Sequence, residues 1–302
     1  MSANLIITFL EIGLIFGLLA MGIYITFIIL DIPDLTVDGS FTFGASISAM
    51  LCLHNLPILG LILGFLAGAM AGVATSVMNT KLKINVILAG ILTMTGLYSI
   101  NFWVTKKTPS FSLNGGKTIF SVFDKYESIK FLNSSLNKIL TLLLIFLIVI
   151  FIIFLLNRFF KTRMGVAIRA TGDNEMMINS SSISTDLMKI IAFAIANGLV
   201  GLSGALFIQR DNSYTSSVGV GMMVIGLASI IIGEAIFRRR KIGVAMIIVT
   251  LGAVMYRFLY TCALLIPRID PIDIKIITVV LIVIILGIQL LIQKIKKRRA
   301  KC

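Results

Sequence analysis

Lys161–Lys189 reads KTRMGVAIRATGDNEMMINSSSISTDLMK, and almost everything on either side of it is apolar. A helix needs a run of about 20 apolar residues to cross the bilayer core. The flanking runs at 138–160 and 187–209 meet that length, so this polar segment hangs between two spans. Within it, Gly172-Asp173-Asn174 breaks the preceding structure and supplies an N-cap, with Asp173 or Asn174 accepting from the first free amides. Glu175 then sits where the helix dipole favours negative charge. Met176, Met177 and Ile178 give the short helix an apolar side with nothing in water to cover it, and soft methionines suit an adaptable interface. A second start signal, Ser184-Thr185-Asp186, launches the next span. An apolar chain that keeps such a segment has a docking surface for a soluble partner.

Composition supports the membrane reading. The chain is 58% hydrophobic and 13% charged, with a mean hydropathy of +1.04. A soluble core of 302 residues cannot hide that much apolar surface, so the bilayer is the solvent. Backbone in lipid must satisfy its own hydrogen bonds, which leaves helices or a closed barrel. Continuous apolar runs, rather than alternating ten-residue segments, exclude the barrel. The expected fold is an all-α polytopic membrane protein of about 8–10 transmembrane helices, forming one domain over 1–302 with its cytoplasmic segment at 161–189.

Net charge is +14, from 27 Lys+Arg against 13 Asp+Glu. The basic residues lie in short connections and in the tail KIKKRRAK, where the positive-inside rule explains them without nucleic acid. Candidate spans are 5–30, 57–78, 84–104, 138–160, 187–209, 219–237, 242–264 and 274–293. The tail, the cluster Arg238–Lys241, the 161–189 segment and the turn bearing Lys81 and Lys83 then all fall on the cytoplasmic side. The loop 105–137 falls outside despite its lysines, which Asp124 and Glu127 balance in part. The side of the N-terminus depends on how 31–54 is counted. The N-terminus lacks the basic n-region of a signal peptide, and its apolar run is long enough to span. Cys52, Cys262 and Cys302 are scattered without metal-ligand spacing, and His54 has no second ligand near it in sequence, so no metal site is expected.

Two further segments interrupt the apolar pattern. DIPDLTVDGSFTFGAS, Asp31 to Ser46, carries carboxylates and the turn-forming pair Asp38–Gly39, with Thr36 and Ser40 beside them. The apolar stretch 41–54 is too short to cross alone, so a broken or re-entrant helix is expected near 31–54. Non-helical backbone at membrane depth lines a cavity or is buried in protein, and broken helices hold substrate sites in many transporters. An ordinary short loop between spans is the other reading. ILAGILTMTGLYSINFW, Ile87 to Trp103, carries Thr93, Thr95, Tyr98, Ser99 and Asn101, weakly polar groups of the kind a translocation path needs. Hydroxyls also bond back to their own helix carbonyls, which would leave some of them inert.

Gly60, Gly64, Gly68 and Gly72 recur every fourth residue along one face, and small residues at that spacing let helix backbones approach closely. That contact is expected within one subunit, with an intersubunit contact as the alternative. Glu234 is expected to pair with Arg238 one turn on, and Arg257 to snorkel at the outer interface. The GGKT at Gly115–Thr118 lacks the upstream glycine of a phosphate loop, because Phe111 stands there, and it falls in the outside loop. No ATPase is encoded in the chain.

LTVDGSFTFGAS, LAGILTMTGLYSIN, AIRATGDNEMM, ANGLVGLSGAL and GVGMMVIGLASIIIGE together resemble the permease subunits of bacterial ATP-binding-cassette importers. The wider group serves branched-chain amino acids, nucleosides and simple sugars. The similar subgroup pairs with tryptophan/tyrosine-type binding proteins. The likeness runs from about Leu5 to Lys275 in order. It implies that the loop bearing Gly172, Asp173, Asn174, Glu175, Met176 and Met177 forms a coupling helix seated in an ATPase groove. It also implies that the DLTVDGS region borders the translocation path. The chain departs from relatives at INSSSIST, where they tend to carry alanine-rich, glycine-containing sequence.

The expected function is the permease subunit of an ATP-driven importer in the bacterial cell (inner) membrane, passing a small solute, an amino acid among the candidates. Expected partners are a cytoplasmic ATPase that holds the ATP, an extracytoplasmic binding protein, membrane lipid and a second permease copy. The pathway residues are Thr36, Asp38, Ser40, Thr93, Thr95, Tyr98 and Asn101. The rival is a secondary transporter coupled to protons or sodium through Glu234 or Asp38. A membrane-embedded enzyme is disfavoured, because no cluster of catalytic spacing appears.

Overall fold

A computed structural model describes residues 3–121, 134–181, 183–236 and 242–264, with the isolated positions 280, 283 and 287. The span at 274–293 (those positions apart), the basic tail, the cluster Arg238–Lys241 with the Glu234–Arg238 pair, and the loop acids Asp124 and Glu127 lie outside the described residues.

The described residues form ten α-helices and a two-stranded ribbon. In chain order these are α1 (Ala3–Ile23), continued by a wider π-helical turn (Tyr24–Ile29), α2 (Val37–Leu53), α3 (Pro57–Thr80) and α4 (Val86–Val104). Then follow β1 (Ser110–Ser112), α5 (Ser134–Phe159), α6 (Arg163–Asp173), α7 (Glu175–Ser180) and α8 (Thr185–Asp211). The chain continues through β2 (Ser213–Thr215), α9 (Met222–Ile236) and α10 (Ile242–Leu264). Six helices are long and apolar enough to cross a membrane, and α2 and α9 are shorter apolar helices. The chain is a multi-pass membrane protein.

Local chemistry sets the helix limits. Pro57 opens α3, where its missing N–H costs nothing. Asn85 caps α4 by accepting from Ile87 N–H at 2.9 Å, and Thr162 caps α6 by accepting from Gly165 N–H at 3.3 Å. Asn212, in the left-handed region at φ 56°, ends α8.

α8 is the central post, packed by α3, α2 and α1, while α10 lies against α1 and α9. The glycine face of α3 makes this closeness possible. A Cβ on Gly64 would lie 2.8 Å from Ala205 Cβ, and one on Gly60 would lie 3.1 Å from Ser48 Oγ. On Gly68 and Gly72 it would run into the carbonyl oxygens of Asn197 and Phe193. The stripe therefore faces α2 and α8 of its own chain.

The ends of the bundle order themselves relative to the 161–189 segment. α8 leaves it toward the far end, and Arg210 on its last turn meets Glu11 of α1 at 2.6 Å. Glu11 is fully buried. α1 therefore starts at the end of the bundle opposite that segment. β1 and β2 pair antiparallel, Phe111 opposite Tyr214, across that far end. Gly116 packs on the Cys52 carbonyl there, so the GGKT stretch belongs to the cap of that end.

Three local expectations change. The chain breaks at 31–36, before Asp38–Gly39, and both of those residues are helical. Asp34 Oδ1 accepts from Thr36 N–H at 2.9 Å, which starts the helix early. Gly39 serves close approach instead of turning, since a Cβ there would stand 3.1 Å from Met94 Cα. The span expected at 219–237 is a helix over Met222–Ile236 only, because residues 216–221 stay in turns and Gly221 adopts φ 88°. Arg257 does not snorkel. It lies half-buried, 4.5 Å from the Tyr260 ring centroid and 5.9 Å from that of Phe16.

Candidate functional site: the helix break, its cavity and the short capped helix

Widening of α1 over Tyr24–Ile29 prepares the break, as Leu30 N–H donates to Ile25 O at 3.1 Å and Ile32 N–H to Thr26 O at 3.0 Å. π-turns of this kind are frequent at functional sites. The chain then passes through the protein interior, where its polar groups must find partners. Asp34 Oδ2 accepts from Asn197 Nδ2 at 2.6 Å, and Asn197 Oδ1 accepts from Ser40 Oγ at 2.7 Å. A hydroxyl ladder continues sideways, with Thr36 Oγ1 2.7 Å from Thr75 Oγ1 and Thr75 Oγ1 donating to Thr93 Oγ1 at 2.8 Å. These groups tie α2 to α3, α4 and α8.

Asp38 does something different. Its Oδ2 accepts from Gly221 N–H at 2.9 Å and its Oδ1 from Met223 N–H at 2.8 Å. A carboxylate on the first turn of α2 thus caps the start of α9, where the dipole favours negative charge. The starts of α2 and α9 meet here, and Gly219 packs directly on the Asp38 carbonyl.

Beside this junction is a cavity of about 300 Å³, lined by Asp38, Thr42, Thr95, Tyr98, Asn101 and Ser217 among others. Of the seven residues expected along a pathway, Asp38, Thr95, Tyr98 and Asn101 meet at this cavity. Thr36, Ser40 and Thr93 do not. They are sealed into helix contacts, Thr36 and Ser40 completely. Thr95 Oγ1 also donates to its own helix, to Ile91 O at 2.9 Å. Tyr98 is exposed and edge-on to Phe102 at 5.0 Å. Asn101 Oδ1 accepts from Ser46 Oγ at 3.3 Å.

Sequence reading gave no role to Asp34, Asn197 or Thr75. The one available signal for Asn197 was an amide amid the small residues of ANGLVG, deep within a span.

In the 161–189 segment, Asn174 is the N-cap of α7 and accepts from Met177 N–H at 3.1 Å. Asp173 ends α6. Glu175 is held by Lys189 at 2.6 Å and accepts from Thr185 Oγ1 at 3.3 Å. Ser184 precedes α8 but makes no side-chain cap bond, because Thr185 turns back toward α7. The expected apolar side divides. Ile178 is buried, while Met176 and Met177 are 81% and 60% exposed. Gly172 lies against Ile29 O at the foot of α1, with no room for a side chain. The two short helices are thus seated on the element that leads into the break. Among the described residues no group of three His, Cys, Asp or Glu side chains gathers as it would around a metal ion.

Comparison with known proteins places this architecture. Residues 5–245 match the family model described as "Branched-chain amino acid transport system / permease component". The chain is 34% identical over 299 residues to a tyrosine transport system permease protein of Clostridioides difficile (strain R20291), covering 98% of this chain and 95% of the relative. It is 32% identical over 277 residues to an uncharacterized protein of Rickettsia prowazekii (strain Madrid E), covering 91% and 94%. No solved structure matches the chain.

Proposed function

The chain belongs to the permease family of branched-chain amino acid transport systems, and on that premise we propose that cytoplasmic ATPases drive it to import a small solute handed over by an extracytoplasmic binding protein. Two permease copies, each with one ATPase, form the working unit in the bacterial cell membrane. The single observation that carries the drive is α7. It is a capped helix with two exposed methionines, joined through Gly172 to the foot of α1. Force applied at Met176 and Met177 reaches the break at 31–36 through that contact. The solute is proposed to be an amino acid. A relative is named for tyrosine transport, and the cavity's about 300 Å³ lies at the small end of ligand sites. Asp38, Thr95, Tyr98 and Asn101 line its path, and the ATP stays on the partner.

Of the two carboxylates on which an ion-coupled carrier could rely, Glu234 and Asp38, the latter has both oxygens occupied by backbone amides, which favours a structural role for it. The test uses vesicles holding this chain, its ATPase and its binding protein, with labelled tyrosine offered outside and leucine as competitor. Accumulation is expected only with ATP on the ATPase side. Uptake by this chain alone after a pH or sodium step would overturn the proposal.

A further inference from the structure

We propose that the cleft between α5 and α10 at the cytoplasmic end binds an acidic phospholipid of the inner leaflet, with its phosphate held by Lys161 and Arg169. The cleft encloses about 720 Å³. Its walls come from Ile150, Ile153 and Phe154 on α5 and from Ile242, Val244 and Ile247 on α10. Those walls run on into exposed apolar surface, since Phe154 is 55% and Ile247 47% exposed. An occupant can therefore enter sideways from the bilayer without crossing water.

The chemistry changes sharply at one end. Lys161 and Arg169 line the cleft at its cytoplasmic mouth with the amide of Asn157. Both cations are exposed, and neither forms an ion pair among the described residues. α10 comes so close to α5 here that a Cβ on Gly243 would stand 2.7 Å from Asn157 Oδ1, which fixes the amide at the mouth. Two cations with no ion pair among the described residues, above an apolar slot, match a ligand with an anionic head and hydrocarbon tails. Free phosphate shares the head chemistry, but it would leave the apolar walls uncovered. Basic pockets between spanning helices on the cytoplasmic side are where acidic head groups bind.

The test places the purified full-length chain in nanodiscs of phosphatidylcholine doped with a minor fraction of phosphatidylglycerol, and reads the lipid retained by native mass spectrometry. Phosphatidylglycerol is expected to be retained in preference to phosphatidylcholine. Retention should fall roughly five-fold for K161Q or R169Q alone and roughly twenty-five-fold for both, at about 1 kcal/mol per cation. K81Q/K83Q removes the same charge from the same side away from the cleft and should retain the lipid as wild type does. Phosphatidylglycerol with a photoactivatable acyl chain should label peptides around Phe154 and Ile247. Inorganic phosphate should not displace it. Equal loss in K81Q/K83Q would show general surface attraction and overturn the site, as would unchanged retention in the double variant. Labelling confined to other helices, displacement by inorganic phosphate, or a crosslink from position 154 to residues 265–302 or to a second copy would overturn it too.

Discussion

α5 and α8 are nearly equal in length, and they answer opposite demands. The most apolar window of α5 has a mean hydropathy of 3.6 and is only 17% buried, while that of α8 scores 2.0 and is 72% buried. In water the more apolar helix would be the hidden one. In lipid no hydrophobic drive separates protein from solvent, so the interior is chosen by closeness of fit and by hydrogen bonds. α5 spends its Leu, Ile and Phe side chains on the bilayer. α8 is buried through Gly198, Gly201, Gly204 and Ala205, and through Asn197, Ser203 and Gln209, each of them bonded inside.

Close fit should be the hardest feature to disturb. Gly68→Leu drives a side chain into the Asn197 carbonyl, and overpacking of that kind costs about 3 kcal/mol or more. Solubilised protein should aggregate or melt far below wild type. A monodisperse, equally heat-stable Gly68→Leu protein would mean that α3 and α8 are not the core. Asn197→Ala comes next. It strips Asp34 and Ser40 of their shared partner, and the buried groups left unmet cost about 2–3 kcal/mol. Heat stability should drop clearly, with Asp34→Asn milder because its oxygen can still accept.

Met176→Asp with Met177→Asp should separate stability from coupling. Both side chains are exposed, so the melting behaviour should stay within about 0.5 kcal/mol of wild type. The ATPase should nevertheless be lost from the purified complex, because an unpaired charge in that contact costs about 3–5 kcal/mol. Full co-purification with the double variant would remove α7 from the interface. The smallest effect is expected on α5. Leu147 and Phe151 are more than half exposed, and replacing either by Ala should shift stability by no more than about 0.5 kcal/mol in lipid. A large loss at either would show that this face is covered by protein, for instance by a second copy.

Those contrasts also mark what could be read from the chain alone. A span announces itself by length and hydropathy, so most helices were legible, and so was the cap on α7, because Asn174 and its amides are neighbours in sequence. Which helix forms the core was not legible, because hydropathy points the wrong way in lipid. The Asp34–Asn197 bond joins residues on opposite sides of six intervening helices, and neither residue type names its partner. Rotation about an axis explains the mixed outcome on α4. Thr93 and Thr95 differ by about 200° around the helix, so one meets α3 while the other faces the cavity. The Asp38–Gly39 pair misled for a similar reason. Its turn signal is local, whereas the carboxylate is used by amides far along the chain.

That distant bond limits how the molecule can move. Residues 216–220 run from the β1–β2 ribbon, where Tyr214 pairs with Phe111, to the point where Gly221 is held by Asp38. This connection is a tether of fixed contour. Fully drawn out, the steps from Thr215 to Gly221 reach only about 20 Å. However the helices tilt, Gly221 and the carboxylate that holds it stay within about that distance of the ribbon while both anchors hold. The separation of the cavity junction from the ribbon is bounded by the length of a short loop.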